Sequence, residues 1–277
     1  MKAVVEIKGG FGNQVFQYAF AKHLKNEGYR VTVNINEHNA HGVYLNSKNF
    51  GFKESNMFEV GLYNFFYNIS QKNYLNFLSN ILFSKIFRKV TNYESFLNTK
   101  KRYFNYFAGY WQNIDLIKNH KDYLIASLIN AKAMDDNLNN DVQPGKTLIH
   151  VRRGDYVDVE ENLNINFYEE AIRHCKNTIK DFSFEIFTDD LAWVKEQNIF
   201  DEAKVVHGPT QNWDELLNTI TKMFNFENYV VGNSTFSLVP SILTKSKNPL
   251  VIVADPWMKY SNRDLNIDKS WVKIRNY

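Results

Sequence analysis

Ala3-Val4-Val5-Glu6-Ile7-Lys8-Gly9-Gly10-Phe11-Gly12-Asn13-Gln14-Val15-Phe16-Gln17-Tyr18-Ala19 joins an apolar run to a glycine turn and the start of a helical pattern. The run at 3–7 predicts a buried strand, the spacing over 14–26 a helix, and the apolar stretch at 29–35 a second strand. Strand, turn, helix and strand in that order form the repeating unit of a parallel α/β sheet. Ligands of such sheets sit at the carboxyl ends of the strands, so residues 9–14 are the first candidate site.

The second half repeats the rhythm. Apolar strands at 147–151, 182–187, 203–206, 229–231 and 250–253 alternate with amphipathic helices at 167–180, 191–197, 213–226 and 236–244. That alternation predicts a second parallel sheet with helices on both faces. Between the halves the text is looser. Residues 43–110 are rich in Phe and Tyr, with helical spacing at Leu75, Leu78, Ile81, Leu82 and Ile86, and predict an inserted helical layer. A helix at 111–131 closes the first half, and the polar run 134–145 ends in Pro144-Gly145. We expect domains at 1–143 and 144–277, with the last residues packing back on the first domain.

Composition excludes several classes. The 277 residues are 44% hydrophobic and 23% charged, close to globular averages, which rules out disordered, collagenous and coiled-coil chains. A formal charge of +3 is too small to advertise a nucleic-acid surface. A single cysteine, Cys175, excludes a disulfide framework and a thiolate zinc site. No run reaches the roughly 18 apolar residues of a spanning helix, and the N-terminus has no signal-peptide cleavage pattern. The expected address is cytoplasmic.

Four stretches carry chemistry, each at a predicted strand end. At Gly9-Gly10-Phe11-Gly12-Asn13-Gln14 the glycines either make a tight turn or let backbone approach a ligand, with Asn13 and Gln14 able to read hydroxyls. A dinucleotide fingerprint fails there, because Val15 replaces the third small residue and Asn34 and Asn36 stand where an acid is needed. In His150-Val151-Arg152-Arg153-Gly154-Asp155-Tyr156, His150 and Arg152 share a strand face before Gly154 turns the chain. A guanidinium fork there suits a diphosphate without a metal, against the alternative of a solvated turn with a local salt bridge. Phe187-Thr188-Asp189-Asp190 could hold a divalent ion, cap the following helix, or face a guanine edge. Val231-Gly232-Asn233-Ser234-Thr235-Phe236-Ser237 is either a phosphate or ribose cradle or an ordinary helix cap. The tail Gly145-Lys146-Thr147 is no P-loop, since Asn140 stands at the first glycine position. Nor do the seven histidines show metal spacing.

Together with Gly109-Tyr110-Trp111-Gln112, these motifs resemble, in order and spacing, the bacterial α-1,2-fucosyltransferases of glycosyltransferase family 11. The resemblance runs from residue 5 to about 258. It implies a GT-B architecture of two Rossmann-like domains facing a cleft, GDP-fucose as donor, inversion at the anomeric carbon and no required metal or other cofactor. One departure is Leu238-Val239-Pro240, where family members often carry two tryptophans; it bears on acceptor and linkage more than on donor.

On this reading Arg152 stabilises charge developing on the β-phosphate. His150 and Arg153 support it, Asp189 or Asp190 faces the guanine, and Asn233, Ser234, Thr235 and Ser237 hold the donor. Gly10 and Gly12 let the backbone approach the donor, and Asn13 and Gln14 reach across the interdomain cleft to the reacting sugar. Asp155, Glu37 and His41 are unranked candidates for general base. The expected partners are GDP-fucose and a galactose-terminated surface glycan, with no nucleic acid. A protein O-fucosyltransferase-like enzyme and a noncatalytic nucleotide-binding adaptor are the rivals. Residues 62–90 carry Lys72, Lys85, Arg88 and Lys89 among aromatics and no acid, so they either pack the first domain or contact an anionic membrane surface.

Overall fold

The structure is a computed structural model that describes residues 1–35, 44–56, 60–61, 87–98, 102–133, 142, 144–260 and 265–275. The chain divides into two compact units, Met1–Ser127 and Leu128–Tyr277. The sequence reading sets its boundary later, at the Pro144-Gly145 break.

In the first unit, β1 (Lys2–Ile7), β2 (Arg30–Ile35), β3 (Lys53–Glu54), β4 (Phe87–Val90) and β5 (Phe104–Phe107) form one sheet in the order β3-β2-β1-β5-β4. Every pairing is parallel. Helix α1 (Phe11–Asn26) starts three residues earlier than its apolar spacing predicts, with Gly10 at its N-cap. Phe16, Tyr18, Phe20 and Leu24 are fully buried, and so are Gln14 and Gln17. A helix enclosed this far must satisfy its amides internally, because a buried polar group without a partner costs several kcal/mol.

Within the stretch read as an inserted helical layer, described residues supply β3, β4 and β5 and the short helix α2 (Tyr93–Asn98). Residues 62–86, which carry the helical spacing and Lys72 and Lys85, lie outside the described residues. Arg88 corrects the surface reading. It is 7% exposed, its Nε donates to Asn105 Oδ1 at 2.7 Å, and its guanidinium lies 5.6 Å from the Phe107 ring centroid, while Lys89 is exposed. The predicted helix at 111–131 is two helices, α3 (Ile114–Asn119) and α4 (Lys121–Asn130), meeting at His120.

The second unit holds β6 (Lys146–Val151), β7 (Ser183–Thr188), β8 (Val206–His207), β9 (Asn228–Gly232), β10 (Val251–Asp255) and β11 (Val272–Arg275). Their order is β11-β10-β9-β6-β7-β8, again wholly parallel. Helices α5 (Gly154–Asp158), α6 (Ile165–Thr178), α7 (Leu191–Lys195), α8 (Trp213–Met223) and α9 (Thr235–Leu243) connect them. Leu163, Phe167, Tyr168, Ala171 and Cys175 pack with Ile149, Val151, Ile186 and Ile252 of the strands into one core. The last described strand, β11, pairs with β10 at the edge of this sheet. The chain is therefore an α/β protein of two parallel-sheet units, the make-up of the GT-B type.

Strand order locates the sites. From β6 the chain winds outward through β7 and β8, then returns to lay β9, β10 and β11 on the other side. The direction reverses between β6 and β9, and in the first sheet between β1 and β5. Loops leaving adjacent strands in opposite directions open a crevice at such a switch point, where ligands of parallel sheets bind. The arginine and Asn-Ser-Thr motifs flank one switch point, and the two glycine motifs flank the other.

Candidate functional site

At the carboxyl end of β6 the chain turns into α5 through Arg152, Arg153 and Gly154. The Arg152 side chain is 31% exposed. It is gripped from both sides: Nη2 donates to Asp155 Oδ1 at 2.5 Å, and Nη1 lies 2.7 Å from Asp189 Oδ2. The second contact is an ion pair off the hydrogen-bond axis, which leaves Asp189 Oδ2 without an aligned donor. Two carboxylates fix the orientation of the fork, while its partial exposure leaves it open to an anion. Asp155, expected as a candidate base, is thus committed to Arg152. Glu37 and His41, the other candidates, lie outside the described residues.

Arg153 faces another way. Its Nε donates to Asp190 Oδ2 at 3.0 Å and its guanidinium lies 4.1 Å from the Trp193 ring centroid. Both members of the Asp189-Asp190 pair contact the arginine turn, with side chains 21% and 32% exposed. Asp189 Oδ1 accepts the Arg153 backbone N–H at 2.8 Å. Asp190 Oδ1 caps α7 by accepting from the Trp193 N–H at 3.0 Å, which with the Arg153 contact holds its carboxyl below the usual range. The Thr188 hydroxyl accepts the Asp190 N–H at 3.0 Å. Gly154 is required at this turn because a Cβ would stand 2.7 Å from Asp189 Oδ2.

Across the switch point, Ser234 caps α9 by accepting the Phe236 N–H at 3.3 Å. Thr235 is half-buried at its first turn, and Ser237 is fully buried. The Ser237 hydroxyl donates to the Val231 carbonyl at 3.0 Å and stands 2.9 Å from His150 Nδ1. A hydroxyl has one proton, so the His150 tautomer sets which of these two groups the Ser237 proton serves. Burial, with Arg152 beside it, lowers the His150 pKa to about 3, so the ring is neutral at physiological pH. The His150–Ser237 bond ties β6 to α9 across the switch point and leaves the α9 N-terminus beside the arginine turn. A helix N-terminus and a guanidinium together favour a polyanion.

Asn233 is 2% exposed; its Nδ2 donates to the Glu161 carbonyl at 2.8 Å, and its Oδ1 has no hydrogen-bond partner. Glu161 gave no sequence signal, because its partners lie nearly a hundred residues away. Its carboxylate is 5% exposed and accepts the Lys259 N–H at 2.6 Å and the Tyr260 N–H at 3.1 Å.

In the first unit Gly9 turns β1 into α1 with φ +79°, a conformation in which a side chain is strained. Gly10 follows as the α1 N-cap, and Gly12 is buried in the first turn. Gln14 is fully buried; its Nε2 donates to the Gly9 carbonyl at 2.8 Å and its Oε1 accepts the Leu45 N–H at 2.9 Å. Gln14 therefore braces the glycine turn, in place of the sugar contact expected of it. Gln17, which sequence reasoning did not single out as a site residue, accepts the Lys8 N–H at 2.9 Å and donates to the Gly109 carbonyl at 3.1 Å. Asn13 is half-buried, and its Oδ1 accepts from Gln112 Nε2 at 2.8 Å. Trp111, just before Gln112, has φ 55° and stacks on Phe20 at 4.0 Å. Left-handed backbone at a bulky residue persists only where packing over-determines it, and here it presents Gln112 to Asn13.

An arginine fork beside a helix N-terminus, at the switch point of a parallel sheet, suits an anionic nucleotide, and comparison with known proteins defines the class as a glycosyltransferase. Residues 62–275 match Glycosyl transferase family 11. The chain belongs to that family. It is similar to an alpha-1,2-colitosyltransferase of Escherichia coli, 28% identical over 98% of each chain. It is also similar to the O-antigen biosynthesis glycosyltransferase WbnK of Escherichia coli, 25% identical over 97% of this chain and 99% of that one. Among solved structures it is similar to NodZ alpha-1,6-fucosyltransferase soaked with GDP-fucose, with a TM-score of 0.46, 13% identity and coverage of 88% of this chain and 92% of that one.

Proposed function

We propose that the protein moves fucose from GDP-fucose to a hydroxyl of a galactose-like residue, in α-1,2 linkage and with inversion, during assembly of an O-antigen-like surface glycan. The observation that carries this reading is Arg152, held between Asp155 and Asp189 and half open beside the α9 N-terminus. When the glycosidic bond of a nucleotide sugar breaks, the sugar becomes cation-like and negative charge grows on the leaving diphosphate. A preorganised guanidinium acts where that charge develops. The α9 N-terminus adds partial positive charge, and Ser234, Thr235 and Ser237 lie there. His150 holds Ser237 with a ring that burial keeps neutral, so it serves as a neutral contact. Asn13 and Gln112 offer amides for sugar hydroxyls in the first unit.

The test is transfer by the purified protein to a panel of β-galactose-terminated acceptors, read by mass and linkage analysis. Formation of an α-1,2-fucosyl product supports the reading, whereas GDP binding without turnover on any glycan favours the noncatalytic adaptor. A second donor belongs in the panel. The similarity to an alpha-1,2-colitosyltransferase makes nucleotide-activated colitose that second donor. Faster transfer of colitose than of fucose would reassign the donor while leaving the role of Arg152 intact.

No helix among the described residues is long and apolar enough to cross a membrane. Peripheral contact through residues 62–90 remains part of the proposal, now resting on Lys72, Lys85 and Lys89 without Arg88. Salt-sensitive flotation with anionic liposomes, weakened by Lys85→Glu with Lys89→Glu, supports it; absence of binding at low salt removes it.

A further inference from the structure

Of residues 154–160, Tyr156 alone is half-buried; the other six are exposed. Helix α5, on which it lies, has no buried residue, so core packing does not call for an aromatic at this position. What the side chain meets instead is the arginine turn. The Arg152 guanidinium carbon stands over the Tyr156 ring, 5.4 Å from its centre, within the range of a cation–π contact. Asp155 and Asp189 hold one terminal nitrogen each. A plane held at two points still rotates about the line through them, and a ring against its face stops that rotation.

The other end of the same side chain reaches the second half of the site. The Tyr156 hydroxyl donates to the Asn233 carbonyl at 3.5 Å, across a sequence separation of 77. Asn233 directly precedes Ser234, the N-cap of α9. The Tyr156 backbone is fixed as well, since its carbonyl accepts the Glu161 N–H at 2.9 Å and the Asn162 N–H at 3.3 Å. The Glu161 carbonyl in turn accepts from Asn233 Nδ2 at 2.8 Å, so the segment 156–161 is bonded to the start of α9 at two points.

We propose that Tyr156 is a positioning residue: its ring sets the tilt of the Arg152 fork, and its hydroxyl keeps that fork in register with the α9 N-terminus. This rests on the nucleotide-sugar reading above. Charge on a leaving diphosphate is met best by donors already aimed at it, and a fork free to tilt must be reoriented in each turnover. The ring carries the larger share, because it touches the guanidinium itself, while the hydroxyl bond is long.

The test is a double-mutant cycle on transfer kinetics, with the thermal midpoint read alongside. Tyr156→Leu should lower kcat about tenfold while the acceptor KM stays within about twofold. Its midpoint should stay near wild type, because α5 buries nothing in the core. Tyr156→Phe keeps the ring and should recover most of the rate. In an Arg152→Ala background Tyr156→Leu should change kcat by less than about twofold, since the ring acts through a guanidinium that is no longer there. A loss of the same size in both backgrounds would mean general structural support and overturn the inference. So would turnover close to wild type in Tyr156→Leu while Arg152→Ala is impaired, and either result leaves the functional reading intact. Turnover close to wild type in Arg152→Ala itself removes that reading and the inference with it.

Discussion

Asp189 accepts the backbone N–H of Arg153 at 2.8 Å, across a sequence separation of 36, while its other oxygen rests 2.7 Å from the Arg152 guanidinium. One carboxylate thus fixes both the path of the turn and the direction of the fork. Asp189→Ala should lower kcat about 100-fold, since displacement of a positioned group by an ångström costs that much. Asp189→Asn keeps an acceptor for the N–H but loses the charge, and should fall between. Steady-state kinetics on the two variants checks this, and equal rates for wild type and Asp189→Ala would refute it.

Arg152→Ala should reduce kcat by about 10² to 10³ while the thermal midpoint stays near wild type, because the side chain is half exposed and outside the core. Arg152→Lys should recover little, since an ammonium cannot serve two carboxylates and a phosphate with one planar fork. Turnover close to wild type in Arg152→Ala would remove this residue from the mechanism.

Gly154→Ala inserts a methyl 2.7 Å from Asp189 Oδ2. The carboxylate is pinned by Arg153 N–H and Arg152 and cannot swing away freely, so the substitution should cost about 1–3 kcal/mol. Chemical denaturation measures that loss, and activity should fall with it because the displaced atom is the one against Arg152.

Transfer should survive EDTA. The two aspartates that could have held a divalent ion are engaged by arginines and by helix capping, and no group of three or more His, Cys, Asp or Glu among the described residues could hold one. Loss of activity on chelation, restored by Mg²⁺ or Mn²⁺, would mean the acidic pair turns toward a metal when donor binds.

His150 links pH to stability. Its folded pKa of about 3 lies below the ordinary value of 6.5, so protons favour the unfolded chain. The stabilising contribution is complete above pH 6.5 and is lost progressively as pH falls toward 3. At pH 5 the loss should be about 2 kcal/mol. Urea midpoints for wild type and His150→Gln between pH 7 and 4 isolate the effect. The variant should show the shallower decline, and parallel curves would contradict the burial of a neutral imidazole.

The sequence by itself determined which residues stand at strand ends. Alternating apolar runs and amphipathic helices gave two parallel sheets, and the motifs at 9–14, 150–156 and 231–237 sit where strands end and helices begin. These features were legible because strand periodicity, glycine turns and helix caps act within a few residues. Short strands such as β4 and β5 in the aromatic stretch were not, since four residues carry too little pattern, and β11 pairs only after the chain has returned to the sheet edge.

Only the tertiary structure decided what those side chains do. Strand order β10-β9-β6-β7 puts the arginine turn against α9 and makes a switch point of two motifs some eighty residues apart in the chain. The same long-range packing turned Gln14 into a brace, gave Asp189 and Asp190 to the arginines, buried Arg88 and set Glu161 beneath Tyr260. A carboxylate or amide takes whichever donor or acceptor the fold brings within about 3 Å, and those partners come from strands and loops that no local pattern brings together.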